Sequence, residues 1–401
     1  MTKVDLAKLI SPLFWVSRPL GVLPISHRDG RFVVDRALFA YSVGVRLFSS
    51  LVGTSYYLNM LWLASRQENV GEKILDLFVN GIMYAIAVLS VHFAYKCSTL
   101  LVEVLENIAD VLRRIDFVDA NQSLKHIRIF TIIVQVMTIV YLTIYEFRAS
   151  LSPPAVLTVV KLCELLSRVG CVGSVTAIGT VFCVLVLVLK GVARALNEEV
   201  AAWATAIGVR GEKHHLQRQF SRRLVALRHC YGKVHDVCAQ LNRIFGIFVL
   251  MSLTYHGSYL QLELFDTVRN SYKSLVYDAV FDEGKLEYYH WLFVDAGKAA
   301  SYFIAVGLFA AEYRKIKKIL CAFVNSLPAS KLRESVHCFS LEISTLNVDL
   351  TASGFFVIGW DVLFASAASC AVNVAILFQA YIANLEQNKV SLHQTVLTRP
   401  N

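Results

Sequence analysis

The chain has 401 residues, of which 56% are hydrophobic and only 17% charged, and its mean hydropathy is +0.54. A soluble domain carries roughly 25% charged residues, so this composition excludes a soluble globule, which would lack the polar surface to cover itself. The net charge of +9 would suit a nucleic-acid binder, but the basic residues follow membrane topology and no nucleic-acid partner is expected.

The first 25 residues, MTKVDLAKLISPLFWVSRPLGVLPI, hold short apolar pieces interrupted by Pro12, Pro19 and Pro24. They do not form a cleavable signal, so insertion is expected to rely on the first span as an uncleaved signal anchor. Seven stretches are long and apolar enough to cross the ~30 Å hydrocarbon core: residues 38–63, 74–95, 129–147, 157–189, 244–267, 291–311 and 361–384. The fourth should protrude beyond the bilayer as a continuous helix. The expected fold is an all-α integral membrane protein of seven transmembrane helices.

Basic loops are retained in the cytosol, and the 39 Lys and Arg are unevenly spread. Segments 1–37, 96–128, 190–243 and 312–350 hold 27 of them, and the segments between hold 8. Arg46, Lys161, Arg168 and Lys298 fall inside spans. The imbalance predicts a cytosolic N-terminus and, with seven spans, an extracellular C-terminus. All nine cysteines lie in spans or in segments on the basic side, so extracellular disulfides are not expected. Both features oppose a G-protein-coupled receptor, which has the reverse orientation.

The basic segments read as helices. Residues 98–125 place apolar side chains at helical spacing with acids and arginines opposite. Residues 190–243 read as two helical arms joined by a polar turn at 208–213, and 312–350 is again amphipathic. Together they predict a helical cytosolic anchor layer, where subunits could assemble. His229, Cys230, His235 and Cys238 are metal-ligand types within ten residues, but on one helix they do not converge. A basic, partly packed helix is the better reading, and no metal or cofactor is expected. No Ser–His–Asp pattern, Gly-rich phosphate loop or HExxH motif occurs, so nothing supports an enzyme.

The stretch 338–381, CFSLEISTLNVDLTASGFFVIGWDVLFASAASCAVNVAILFQAY, resembles the C-terminal signature of the insect gustatory receptors. The matching residues are Phe339, Ser340 and Leu341, then Thr351, Ala352, Gly354, Phe355 and Phe356, then Asp361 and Leu363. The five hydrophobics are Val374, Ala375, Ile376, Leu377 and Phe378, followed by Gln379, and SRPLGVLPI at 17–25 is similar to the family's opening. The family's Thr-Tyr pair is replaced by Val372-Asn373, and Ala380 stands where a bulky apolar residue is usual. The resemblance implies a ligand-gated, non-selective cation channel in the plasma membrane. Four subunits, identical or mixed with related receptors, would each give the last helix to a central pore. It divides the chain into an N-terminal segment (1–37), a ligand-binding six-helix bundle (38–311), anchor helices (312–360), a pore helix (361–384) and an extracellular tail (385–401).

On the last helix, Ser366, Ser369, Asn373, Ile376, Ala380 and Asn384 share a small and polar face, opposite Leu363, Phe364, Ala367, Val374, Leu377, Phe378 and Tyr381. Packing against neighbouring helices and a water-filled pore both produce such a stripe; the resemblance favours the pore. The pore and gate candidates are therefore Ser369, Asn373, Ile376, Gln379 and Ala380. Alanine forms a wide ring, so the barrier that closes the pore by dewetting is expected to move to Ile376.

Polar groups inside spans are costly and mark candidate ligand contacts. Those in the outer halves are Tyr84 on the second helix, Tyr141, Tyr145 and Glu146 on the third, and Lys161, Glu164 and Arg168 on the fourth. The fifth adds Tyr255, His256 and Tyr259, and the sixth Trp291 and Asp295. Internal salt bridges, such as Asp295 with Lys298, and interfacial aromatic anchors account for several of these equally well. The expected ligand is a small-molecule tastant, either a sugar or a bitter compound. The alternatives are an insect odorant receptor, which shares fold and pore, and a secondary transporter, which would show internal repeats and paired broken helices. The SRPL opening and TASGFF segment favour the gustatory branch, and no repeat is visible.

Overall fold

A computed structural model describes residues 6–64, 78, 81–82, 84–86, 88–115, 159–210, 214–277 and 285–397. The described residues are mostly helical, apart from one hairpin and the loops between elements. The elements are α1 (Leu6–Ser17), β1 (Ile25–Arg28), β2 (Arg31–Val34), α2 (Arg36–Ala64), α3 (Ser98–Arg114), α4 (Val159–Arg210), α5 (His214–Tyr277), α6 (Lys285–Ser326), α7 (Lys331–Thr345) and α8 (Trp360–Leu397). Among the described residues, five helices are apolar and long enough to cross a membrane: α2, α4, α5, α6 and α8. Of the two other predicted spans, 74–95 lies partly and 129–147 wholly outside the described residues.

The helix lengths exceed what a bilayer needs. At 1.5 Å per residue, the 52-residue α4 and 64-residue α5 run about 78 and 96 Å, against a ~30 Å hydrocarbon core. Each therefore continues well outside the membrane; of the predicted polar turn at 208–213, residues 208–210 still belong to α4 and 211–213 lie outside the described residues.

The chain divides into two compact units, residues 1–252 with 304–358, and residues 253–303 with 359–401. In the first, the N-terminal segment is folded. Helix α1 buries Leu6, Ile10, Leu13 and Phe14 on one face and leaves Trp15 79% exposed on the other. Strands β1 and β2 pair antiparallel from Ile25↔Val34 to Arg28↔Arg31. Asp29 and Gly30 both have positive φ, +52° and +77°, as a two-residue type I′ hairpin turn requires. Asp35 then caps α2, its Oδ1 accepting from the N–H groups of Ala37 and Leu38.

The SRPLG stretch is tied to α2. The Tyr41 hydroxyl donates to the Pro19 carbonyl at 2.9 Å, and the Gly21 carbonyl accepts from both Ser42 Oγ and Arg46 Nε. Gly21 has φ +63°, and a Cβ there would stand 3.1 Å from the Ser42 backbone, so glycine is demanded by conformation and by space. Arg46 is only 1% exposed, and its Nη1 and Nη2 have no hydrogen-bond partner among the described residues.

The rest of this unit packs amphipathic helices around one core. Leu101, Val104, Leu105 and Ile108 of α3 are buried, as are Phe220, Leu227, Tyr231 and Phe245 of α5, Phe309, Tyr313 and Phe323 of α6, and Val336 and Phe339 of α7. Several polar groups inside are paired across helices. Asn197 donates from Nδ2 to the Glu312 carbonyl at 2.8 Å and accepts from the Tyr231 hydroxyl at 2.8 Å. Asp110 of α3 pairs with Lys233 of α5 and with Arg114. Burial alone would raise the Asp110 carboxyl; the hydrogen bond and charge of Lys233 outweigh it, Arg114 adds to them, and the group is held below the usual carboxylate range. Cys230 and Cys238 are buried while His229 is exposed, so the four metal-type residues do not share a face.

The TASGFF segment folds as a tight loop between α7 and α8, closed by a bridge between Thr351 and Val357. Ser353 and Gly354 have φ +54° and +78°. The loop rests on α5, where a Cβ at Gly246 would lie 2.9 Å from the Ser353 backbone nitrogen.

Candidate functional site

The second unit contains the ends of α5 and α6 from Leu253 and up to Phe303, with α8. Helix α8 packs through a line of Leu363, Cys370, Val374, Phe378 and Tyr381 that is buried or half-buried. Phe378 meets Tyr272 edge-on at 5.5 Å between centroids, and Tyr381 meets Phe265 at 6.3 Å. All five pore candidates, Ser369, Asn373, Ile376, Gln379 and Ala380, lie on exposed turns of the helix, with Ile376 56% exposed. The opposite face is covered only in part, because Phe364 and Leu377 are exposed too. The helix continues beyond its predicted end at 384, to Leu397.

A buried polar cluster joins α5 and α6. His256 Nδ1 lies 2.9 Å from Asp295 Oδ1, and both side chains are almost fully buried. Lys298 approaches Asp295 at 3.9 Å from the next turn of α6, as its i,i+3 spacing predicts. The Tyr255 ring stands 5.1 Å from the His256 ring and stacks with Tyr259 at 5.9 Å. Asp266 pairs with Arg269 at 2.9 Å.

Four of the predicted ligand contacts, Tyr255, His256, Tyr259 and Asp295, thus come together in one unit. Tyr84 is in the other unit, buried against Tyr57 at 5.7 Å. Tyr141, Tyr145 and Glu146 lie outside the described residues, and Lys161, Glu164, Arg168 and Trp291 lie on α4 and α6 with side chains outside the description. Sequence reasoning missed Glu263, which is buried at 7% exposure. The signal was present: an acid inside an apolar span, seven residues beyond His256 and hence on the same helical face.

This arrangement is an all-helical bundle in which long apolar helices carry charge buried between them, which defines a multi-pass membrane protein. The family model of the 7tm chemosensory receptors matches residues 10–384, and the chain belongs to that family, one of receptors and not of enzymes. Two solved structures of the insect olfactory receptor OR5 from Machilis hrabei share the fold. The complex with eugenol superposes with a TM-score of 0.67 at 11% identity, covering 94% of this chain and 98% of that one. The second OR5 structure gives 0.65 at 12% identity with the same coverage. No curated protein matches the chain by sequence.

Proposed function

We propose that the chain is a gustatory receptor, a tastant-gated, non-selective cation channel of the plasma membrane. The N-terminus is placed in the cytosol and the C-terminus outside, on the strength of the 27-to-8 division of basic residues. Four subunits, alone or mixed with related receptors, assemble through the helical layer of α3, α7 and the extended ends of α4, α5 and α6. Each contributes α8 to a shared pore, and a ligand held in the outer half of the bundle opens it.

The observation that carries this reading is the surface of α8. A membrane helix that exposes Ser369, Asn373 and Gln379 together on its uncovered side needs water or a protein neighbour there, because polar side chains are costly against lipid. The GFF-type loop and SRPL opening favour the gustatory over the odorant branch. The test is patch-clamp recording from cells expressing the chain during a screen of sugars, bitter compounds and volatile odorants. A tastant-evoked current reversing near zero is expected. A current evoked only by volatiles would assign the odorant branch, and saturable uptake without current would make the chain a transporter.

A further inference from the structure

We propose that Glu263 is the anchor for a protonated organic amine, so that the ligand class is a cationic, amine-bearing compound and not a sugar; this rests on the ligand being held in the bundle as proposed above, here at the α5–α6 cluster. Among the described residues of this cluster, the acids Glu263, Asp266 and Asp295 lie near the basic side chains of Arg269 and Lys298. Asp266 is paired with Arg269, and Asp295 engages His256 and Lys298. That leaves Glu263 with no ion-pair partner among the described residues, and its buried Oε2 has no hydrogen-bond partner there either. Asp295 and Asp266 are near enough to repel it, and Lys298 attracts it from beyond ion-pair range. A buried carboxyl group without a partner is strongly disfavoured, so among the described residues the cluster holds one buried acidic group with an acceptor left unanswered.

The surroundings match an ammonium group. His256, Tyr259, Glu263 and Thr267 succeed one another along one face of α5 at spacings of three and four. Thr267 Oγ1, one turn beyond Glu263, is also buried without a partner among the described residues. An ammonium donates to both oxygens, and the stacked Tyr259 and Tyr255 rings, one and two turns back, supply the aromatic faces that attract a cation. A sugar hydroxyl could donate to Glu263 but would bring no charge to pair with it, whereas an ammonium supplies both the donor and the counter-charge.

The test uses the purified full chain in detergent and the same chain expressed in cells, with quinine, tryptamine and 2-phenylethylamine as amine probes and 2-phenylethanol and coumarin as neutral counterparts. At least one amine is expected to raise the melting temperature where the neutral compounds do not. Glu263→Gln, which keeps shape and removes charge, should weaken that amine by about tenfold or more, the scale of one charged hydrogen bond, while Glu263→Asp keeps a measurable response. Equal stabilisation by 2-phenylethylamine and 2-phenylethanol, an amine response untouched by Glu263→Gln, or no shift with any of the three amines would overturn the proposal. Amine stabilisation without any evoked current would uphold this site and refute the channel reading. Currents evoked by neutral tastants, with no amine effect, would do the reverse.

Discussion

The side chain of Asn242 holds the TASGFF loop by both of its ends: Nδ2 donates to the Asp349 carbonyl at 2.8 Å, and Oδ1 accepts from the Thr351 N–H at 2.8 Å. Asn242 stands one turn before Gly246 on α5, so one face of that helix both bonds the loop and makes room for it. The loop ends at Ile358 and the chain enters α8 at Trp360. Asn242→Ala strands a carbonyl and an N–H in a half-buried place and should cost about 1–3 kcal/mol. Asn242→Asp keeps the acceptor and should cost less. Melting of the detergent-solubilised chain checks the order; equal melting temperatures for the wild type and Asn242→Ala would contradict it.

Gly246 and Gly232 both lie on α5 but differ in what surrounds them. A Cβ at Gly246 would meet the Ser353 backbone at 2.9 Å, whereas one at Gly232 meets nothing within 4 Å. Gly246→Ala should therefore destabilise by about 1–3 kcal/mol, as overpacking does. Gly232→Ala should stabilise by up to about 1 kcal/mol from helix propensity. Surface expression and thermal unfolding of the two variants should move in opposite directions.

The Asp110–Lys233 pair makes stability depend on pH in a defined direction. The folded carboxyl titrates below its unfolded value, so its contribution is complete above the unfolded value of about 4 and is lost as pH falls through the folded one. Asp110→Asn should lower the melting temperature at pH 7, and the difference from wild type should shrink as the solution is acidified below about pH 4. A constant difference from pH 7 down to pH 3 would show that the pair does not act through its charge.

On α8, Ile376 is the bulkiest apolar residue of the predicted stripe and is exposed along it. Replacing it with a hydroxyl should wet a constriction that closes by excluding water. Ile376→Ser is expected to raise the resting conductance of cells expressing the chain, while Phe364→Ser, off that stripe, should leave it unchanged. Unaltered resting current in Ile376→Ser would remove Ile376 as the gate.

Much of this protein was legible from its residues because lipid is an unforgiving solvent. Backbone groups must be satisfied inside each span, so long apolar runs at 157–189, 244–267, 291–311 and 361–384 read as helices, and the amphipathic segments at 98–125 and 312–350 read as helices with one face on a core. The signature at 338–381 pointed to the receptor family from the residues alone, and its TASGFF part meets a backbone demand, with Ser353 and Gly354 at positive φ. The hairpin at 25–34 was also written in the residues, as Asp29-Gly30 between short strands, but lay in a segment read for membrane insertion.

What remained was decided by tertiary packing. Periodicity placed His256 and Tyr259 on one face of α5, but the meeting of His256 with Asp295 depends on how α5 and α6 pack, and these residues are 39 apart in the chain. The same holds for Asn242, which reads as an ordinary polar helix residue until the loop 107 residues later folds against it. Whether Glu263 has a partner, and whether Arg46 finds more than the Gly21 carbonyl, cannot be read from residue type or spacing. A charge is defined by sequence, but its compensation is a property of distances between helices, and those arise only when the bundle is packed.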